Sequence, residues 1–221
     1  MEDPSRSRTR EEIEASRKTM PATAARLLAA ARRIIIKSGY ADLSLRRIEG
    51  ESGANEALVS YYFGNKAGLV AALIDALFEN PRVGYSDDVE RFPEGWERVR
   101  ALTMWQRRMS ANRSANRMLY ELLPVAMRSP KLRGRFAELY RLYRDFDGQC
   151  FESDALGLDH EKTERLAALS VAVVEGLAVQ LSVDPKDFDH DGAYAVWEEM
   201  LDGYLRSLTP RTSPASSRDA H

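Results

Sequence analysis

The chain has 221 residues, of which 44% are hydrophobic and 30% are charged, and its formal net charge at pH 7 is −2. This length allows one large domain or two smaller ones, and the single cysteine, Cys150, excludes an intrachain disulfide. No segment approaches the ~20 uninterrupted apolar residues of a membrane helix, and residues 1–20 are too charged for a signal peptide. We therefore expect a cytoplasmic protein that does not enter a membrane.

The charges are divided unevenly along the chain. Residues 1–66 carry a net charge of +3, and the remaining residues carry a net charge of −5. A basic N-terminal part suits a domain that faces a polyanion, and an acidic remainder suits a domain with another role. Three surplus positive charges do not by themselves identify a DNA-binding protein.

Residues 1–18 are polar and lack apolar periodicity, which predicts a flexible arm. Its arginines, Arg6, Arg8 and Arg10, could reach a minor groove or phosphates, although the composition favours a solvated tail without contacts. Apolar residues then recur at helical spacing over residues 21–38, which predicts the first helix.

Two short helical patterns follow, separated by the turn Gly53-Ala54-Asn55. Ser44 is placed as the N-cap of the first of them, and Gly53 follows its end, where a residue without Cβ most easily adopts the left-handed cap. Asn55 is placed to cap the second helix, residues 56–62. Two helices that meet at a steep angle through such a turn form a helix-turn-helix, whose second helix we expect to lie in a DNA major groove.

The segment that contains this motif runs from ATAARLLAAARRIIIKSGYADLSLRRI to YYFGNKAGL, over residues 22–69. It resembles the N-terminal domain of TetR-family transcriptional regulators. The resemblance implies a three-helix DNA-binding domain joined to a larger helical domain that binds a small-molecule effector and dimerises. It also implies a regulator that is most often a repressor.

The outward face of the second helix carries the residues best placed to approach base edges and phosphates, whereas Val59 and Phe63 lie on its inner stripe. Tyr61 and Tyr62 match an aromatic pair that contacts the DNA backbone in the family, although packing against a neighbouring helix is the alternative for each. The outward residues are Glu56, Ala57, Ser60 and Tyr61.

Basic residues flank this helix. Arg46 matches a family position whose side chain can lie in the groove, where an arginine hydrogen-bonds guanine O6 and N7. Arg47 is predicted to pair with phosphate or with a carboxylate, and Lys66 to add its charge to a helix N-terminus directed at phosphate. The predicted DNA-binding residues are Ser44, Arg46, Arg47, Asn55, Glu56, Ala57, Leu58, Ser60, Tyr61, Tyr62 and Lys66.

Two residues of the second helix depart from the common family pattern. Leu58 stands where Thr is frequent, so a hydroxyl–phosphate bond is lost and a contact with a thymine methyl group is allowed. Glu56 is acidic, and it either accepts a hydrogen bond from cytosine N4 or complements the helix dipole in the first turn. Because of these departures, the operator sequence is not predicted.

The rest of the chain reads as helices. A fourth helix begins after residue 65 and is predicted to end at Asn80-Pro81, before a loop over residues 80–94. Longer helical patterns then cover residues 95–111, 114–127, 131–154, 160–183 and 190–208, with Pro124 at the edge of the second or kinking it. The Ser/Pro-rich end is predicted to be disordered.

The chain is therefore predicted to be all-α. Its predicted parts are a flexible arm at 1–18, a helix-turn-helix DNA-binding domain at 19–66, an effector-binding and dimerisation domain at 67–208, and a disordered tail at 209–221.

Two strings near the end, VAVVEGLAVQLSVDPKDFD and AYAVWEEMLDGYL, are similar to the branch of the family that contains the choline-responsive betaine-biosynthesis repressor. This similarity implies that the last two helices pair with those of a second copy in a four-helix bundle. Intrachain core packing is the alternative for the same apolar stripes. A dimer would place two recognition helices ~34–36 Å apart, or a small multiple of that, on a near-palindromic operator in double-stranded DNA. The predicted interface residues are Leu166, Leu169, Val173, Leu177, Leu181, Tyr194, Trp197, Met200, Leu201 and Tyr204.

Aromatic and methionine residues crowd the central helices, which suits an adaptable apolar pocket and an ordinary core equally. Glu175 lies within an otherwise apolar helix, where a buried carboxylate needs a partner; a cationic effector, a salt bridge within the protein or an outward orientation each satisfies it. The predicted effector-pocket residues are Trp105, Met109, Met118, Tyr120, Met127, Phe136, Tyr140, Tyr143, Phe146 and Glu175. The effector itself is not predicted.

Motifs of catalysis are missing from the sequence. There is no HExxH, CxxC, GxSxG or phosphate-binding glycine loop, and the three histidines are scattered. We therefore expect neither an enzyme nor a cofactor or metal site. The alternative to an effector-controlled regulator is a helix-turn-helix adaptor that is controlled by protein partners.

Overall fold

The computed structural model describes residues 20–85 and 89–208, with the side chains of residues 78–85 left aside. Within these residues the fold is built from α-helices and short 3-10 turns, and it contains no strand. The predicted arm with Arg6, Arg8 and Arg10, and the predicted tail, lie outside the described residues. The helices are α1 (Ala22–Ser38), α2 (Leu45–Ser52), α3 (Ala57–Phe63), α4 (Lys66–Tyr85), α5 (Trp96–Ser110), α6 (Arg113–Met127), α7 (Pro130–Phe151), α8 (His160–Val183) and α9 (His190–Leu208).

Local hydrogen bonds set the ends of α2 and α3. The Ser44 hydroxyl oxygen accepts the N–H of Arg47 at 3.3 Å, and Gly53 has φ 64° and ψ 19°, which is the left-handed cap. The Asn55 side-chain oxygen accepts the N–H of Ala57 at 2.8 Å. The Ser44 bond and the Gly53 conformation confirm the two predicted caps of α2. Asn55 binds the first N–H of α3 from the residue before its N-cap, Glu56, because α3 begins one residue later than predicted.

A first core joins the helix-turn-helix to the rest of the protein. It contains Leu27, Ile48 and Val59 of the N-terminal helices together with Leu122 of α6 and Phe136 of α7. These side chains are nearly inaccessible to solvent. Helix α1 packs on α6, and α4 packs on α6 and α7, whereas α2 packs on α1 and α3 packs on α1 and α4. The first core therefore crosses the predicted domain boundary after residue 66, and that boundary remains a prediction.

A second core lies in the C-terminal half, between α5, α7, α8 and α9. Leu102, Phe151, Leu166, Tyr194 and Leu205 are buried in it. The two cores share α7, which contributes Phe136 near its start to the first and Phe151 at its end to the second. A displacement of α7 is therefore felt in both halves of the molecule, because packed interiors transmit strain.

Two prolines lie inside helices. The predicted end of the fourth helix at Asn80-Pro81 is wrong, since α4 continues to Tyr85. Pro124 lies inside α6, in agreement with the second of its two alternatives. A proline removes one backbone donor and disfavours the helix interior, but tertiary packing can keep a helix intact across that loss. The bounds of α5 to α9 agree with the predicted periodic segments to within three residues.

Candidate DNA-binding surface, interior cavity and apolar surface

The outward face of α3 is exposed as the helical periodicity predicts. Tyr61 is 78% exposed, and Glu56, Ala57 and Ser60 are also open to solvent. Val59, on the opposite side, is fully buried in the first core. One face of this two-turn helix packs on the first core. The other face is free to enter a DNA major groove, which is wide enough to admit an α-helix.

Tyr62 and Leu58 have a different position from Tyr61. Both are partly buried and pack against the first core, and the Tyr62 ring meets the Tyr61 ring edge to face with centroids 4.9 Å apart. Tyr62 therefore lies between the first core and the exposed ring of Tyr61, and it packs against both. This arrangement favours the packing alternative for most of the Tyr62 side chain.

The two arginines at the start of α2 have different surroundings. Arg46 is exposed, and the described part of the chain offers it no ion pair. Arg47 forms a salt bridge with Asp42 and donates a hydrogen bond to the Ser38 hydroxyl at 3.3 Å. Arg47 thus pairs with a carboxylate, as one of its two alternatives stated. Arg46 is the better candidate for reaching a base.

Lys66 lies where α4 begins, beside the end of α3. Its Nζ sits 4.8 Å from the centroid of the Tyr40 ring, which holds the ammonium at the surface. The Asn65 side chain caps α4 by accepting the N–H of Gly68 at 2.9 Å. A Cβ on Gly68 would come within 1.8 Å of the Phe63 carbonyl oxygen, so the junction of α3 and α4 requires glycine there.

An interior cavity of about 290 Å³ lies between α5, α6, α7 and α8. This volume is near the lower end of the ~300–1,000 Å³ that is typical of ligand sites, so the cavity suits a small molecule. Its wall also includes Arg32 of α1 and Leu77 of α4. The predicted pocket residues that line it are Trp105, Met109, Tyr120, Tyr143, Phe146 and Glu175.

The other predicted pocket residues lie elsewhere. Tyr140 does not line the cavity but donates a hydrogen bond from its hydroxyl to Glu175 at 2.8 Å. Met118 and Phe136 are buried in the first core, and Met127 is 59% exposed, so these three are corrected. For Met118 the reason is its position on the helix. It precedes Leu119 and Tyr120, which line the cavity, by one and two residues, so its side chain points in another direction.

Asp147 is a cavity residue that the sequence interpretation missed. It is buried on α7 and accepts a hydrogen bond from the Gln106 side-chain nitrogen at 2.7 Å, and the same nitrogen lies 2.9 Å from the Ser170 hydroxyl. The Tyr194 hydroxyl donates to the Gln106 side-chain oxygen at 3.3 Å. Burial raises the pKa of Asp147 to about 7, although the hydrogen bonds from Ser170 and Gln106 oppose the shift.

Glu175 faces the cavity from α8. Burial raises the pKa of its carboxyl group, and the hydrogen bond from Tyr140 partly offsets the shift. Burial also raises the pKa of Tyr120 to about 12, with a further contribution from the nearby Glu175. Glu175 therefore does not point outward, and the described residues include no salt bridge to it. Its carboxyl group has phenolic rings as neighbours.

One polar contact links the body to the DNA-binding segment. The Glu121 carboxylate on α6 accepts the backbone N–H of Tyr40 at 2.8 Å, just after the end of α1. A Cβ on Gly39 would lie 3.2 Å from this carboxylate, so glycine gives it room to approach. The neighbouring Tyr120 lines the interior cavity. One turn of α6 thus touches both sites.

The last two helices carry an exposed apolar surface, which we call the α8–α9 surface. Four predicted interface residues are not part of it, because Leu166, Tyr194, Trp197 and Leu201 are buried in the second core. Val173, Leu177 and Leu181 are partly buried and stay predictions. A period of 3.6 detects apolar residues on the inner and outer faces alike, which explains this correction. The exposed members are Leu169, Val179, Val183, Val196, Met200 and Tyr204.

Length and composition alone would allow α8 to cross a membrane, and likewise α3 taken with the first part of α4, a pair that is bent by 60°. This is weak evidence, since the core helices of folded domains satisfy the same criterion. An apolar helix that contacts its own core on one face and a protein partner on the other has the same composition.

Comparison with known protein families agrees with this geometry. Residues 27–73 match the model of bacterial regulatory proteins of the tetR family, and residues 96–206 match that of the C-terminal domain of BetI-type transcriptional repressors. The chain belongs to the TetR family. As a TetR-family protein it is a DNA-binding transcriptional regulator and not an enzyme, and its N-terminal match contains α2 and α3.

Solved structures share the TetR-family fold across nearly their whole length. A protein from Saccharomonospora viridis in complex with choline superposes with a TM-score of 0.70 at 17% identity, covering 81% of this chain and 95% of its own. Salmonella enterica GusR gives 0.66 at 20% identity, covering 86% and 99%. A TetR-family member from Streptomyces coelicolor gives 0.60 at 23% identity, also covering 86% and 99%. No curated protein sequence matches the chain.

Proposed function

We propose that this TetR-family regulator is a cytoplasmic repressor that binds a palindromic operator as a homodimer and leaves it when a small molecule enters the interior cavity. The observation that carries this proposal is the placement of adjacent residues on α6. Tyr120 lines the cavity, and Glu121 holds the backbone where α1 ends. A ligand that displaces α6 would therefore displace the DNA-binding segment.

The DNA-reading surface would consist of α3 with the start of α2 and α4. The outward residues of α3 approach base edges, Arg46 reaches a base from the start of α2, and Ser44, Asn55 and Lys66 lie at helix N-termini that face phosphates. Tyr61 offers an exposed ring to the DNA backbone. Arg47 contributes through its pair with Asp42, which orients the start of α2.

The dimer would form through the α8–α9 surface. Its exposed leucine, valines, methionine and tyrosine would be buried against the same surface of a second copy, as a twofold axis requires. The exposed small residues Ala172, Gly176 and Gly203 would allow the helices of the two subunits to approach closely. Burial of this surface also accounts for the membrane-like composition of α8.

The effector would carry a positive charge. The choline complex of the Saccharomonospora viridis protein is one reason to test cations on this fold. The cavity supplies another, because Glu175 faces it among the aromatic rings of Tyr120, Tyr143 and Phe146. Aromatic faces and a carboxylate together favour an ammonium group over a neutral or anionic ligand. The effector would bind more tightly to the conformation that has left DNA than to the DNA-bound conformation. This difference would give a coupling of ~1–3 kcal/mol between the cavity and the DNA-binding surface.

The first test is selection of bound DNA from a random pool with the full chain, followed by titrations at several salt concentrations. We expect a palindrome whose half-sites are one helical turn or a small multiple apart, with binding that weakens steeply as salt is added. Weak binding without any enriched sequence would contradict the proposal. The adaptor controlled by protein partners would then become the leading hypothesis.

A further inference from the structure

The interior cavity holds two acidic side chains rather than one. Asp147 enters it from α7, and Glu175 enters it from α8. Asp147 is hydrogen-bonded by Gln106 beside Ser170, whereas Glu175 is hydrogen-bonded by Tyr140. Within the described part of the chain these donors are all neutral, and neither carboxyl group has an ion pair with a basic residue.

The two carboxyl groups lie at separate places in the cavity. The environment of Asp147 includes Ser170, which precedes Glu175 by five residues on α8, and that spacing corresponds to a rise of ~7–8 Å along a helix. On α7 the partner of Glu175 is Tyr140, seven residues before Asp147, which corresponds to a rise of ~10 Å. The helix positions that hold the two carboxyl groups are therefore on the order of 7–10 Å apart along the helix axes, and neither carboxyl group perturbs the pKa of the other. We take this as too far for one ammonium group to contact both.

We propose that the effector of this regulator is a linear diamine, with one ammonium group beside Glu175 and the other beside Asp147. This inference rests on the proposed function, because it names the ligand of the same cavity. A chain with C–C bonds of ~1.5 Å needs roughly four to seven methylene groups to span the distance.

The walls between the two acids suit such a chain. Tyr143 and Phe146 precede Asp147 on α7, and Val171 and Val174 of α8 lie between the positions of its partner Ser170 and of Glu175. These apolar surfaces can cover methylene groups, while the rings near Glu175 can also contact the ammonium. Arg32 is the basic residue in the cavity wall, and its side chain is largely exposed to solvent. It therefore lies at the outer edge, away from the buried Asp147.

The state of Asp147 in the empty cavity agrees with this assignment. Burial raises its pKa to about 7, so near neutral pH the carboxyl group is protonated in part of the molecules, which avoids the cost of burying a charge. A ligand ammonium would take the place of that proton, which leaves to solvent. A ligand with a single cation would satisfy Glu175 and leave Asp147 as it is.

The experiment is titration calorimetry of the full chain with ethylenediamine, putrescine, cadaverine and octanediamine. Each diamine is paired with the n-alkylamine of equal length, and choline is included as a bulky monocation. We expect a maximum of affinity at an intermediate chain length, where the diamine binds at least about tenfold more tightly than its monoamine. Equal affinity of diamine and monoamine at every length, tighter binding of choline, or no binding of any cation would overturn the inference.

Two variants assign the ends of the ligand. Asp147→Asn should reduce the affinity for the best diamine to that of its monoamine, and Glu175→Gln should weaken both ligands. Glu164→Gln, an exposed change on α8, is the matched control and should alter neither. Retention of the diamine preference in Asp147→Asn would overturn the assignment. These titrations contain no DNA, so their failure is distinguishable from a failure to select an operator.

Discussion

At the scale of single residues, Asp147 is a carboxylic acid that the fold buries away from water. Burial raises the pKa of its carboxyl group from 3.8 to about 7. Between these two values the unfolded chain has lost the proton while the folded chain still holds it, so the free energy of unfolding falls as the pH rises and the loss is complete above about pH 7. Neutral Asn has the same shape and no such dependence.

We therefore expect Asp147→Asn to gain stability over the parent protein as the pH rises. The free energy of unfolding of the variant minus that of the parent should be up to about 4 kcal/mol larger near pH 8 than near pH 4. Urea denaturation at several pH values measures this. Asp145→Asn, an exposed change on the same helix, should follow the parent curve. If the stabilities of Asp147→Asn and the parent changed in parallel with pH, the carboxyl group would have an ordinary pKa.

Arg46 and Lys66 should have separable effects on DNA binding. Arg46→Ala should cost ~1–3 kcal/mol at the selected operator and relax discrimination at one base pair, because the exposed guanidinium is free to reach a guanine. Lys66→Ala should weaken all DNA sequences alike and reduce the salt slope by ~1, as expected of a phosphate contact. Titration of the operator, of mismatched operators and of random DNA at several salt concentrations distinguishes them. Equal loss on every sequence for Arg46→Ala would contradict its base-reading role.

The sequence predicted residue positions well where they depend on short-range periodicity. It placed Val59 inside and Tyr61 outside, since one helix turn decides both. It failed for Asp147, because the partners that make burial of this carboxyl group tolerable, Gln106 and Ser170, lie on other helices. No local pattern contains that information.

At the scale of elements, Glu121 of α6 holds the backbone just after α1, and its neighbour Tyr120 lines the cavity. Glu121→Ala would leave the partly buried N–H of Tyr40 without its acceptor, which costs ~1–3 kcal/mol. We expect this variant to lose about that much stability and to bind the operator more weakly, because the end of α1 is no longer fixed. Denaturant unfolding and operator titration measure the two effects.

Glu121→Gln is the matched control, since its amide oxygen can still accept from Tyr40. It should retain most of the stability and of the operator affinity. Equal behaviour of the two variants would mean that charge, and not this hydrogen bond, determines the effect of Glu121.

The sequence predicted the elements themselves, but not this link. Long apolar periods gave the bounds of α5 to α9 closely, and caps gave those of α2 and α3, because both signals are local. The end of α4 was mispredicted because Pro81 was given more weight than the packing of the helix. The Glu121–Tyr40 contact joins residues 81 positions apart, so only the folded structure reveals it.

At the scale of the whole molecule, the apolar stripes of α8 and α9 divide into two faces. Sequence periodicity found both stripes but mixed residues of the chain's own core, such as Leu166 and Tyr194, with exposed ones such as Leu169. The exposed face is what a second copy would cover. A monomer would have one recognition helix and could read only half of a palindrome.

The double change Leu169→Glu with Met200→Glu tests this surface. Leu169 is 53% exposed and Met200 is 64% exposed, so neither change should disturb the fold of the subunit. In a dimer formed through this surface, however, the glutamates would be desolvated, and those close to the twofold axis would face like charges, which costs several kcal/mol. We expect a folded monomer by sedimentation equilibrium, with operator affinity reduced ~100-fold or more. Met104→Glu, on an exposed apolar residue of α5, should remain dimeric. A double variant that stays dimeric and binds the operator normally would place the dimer interface on another face, and the apolar α8–α9 surface would then need a different partner.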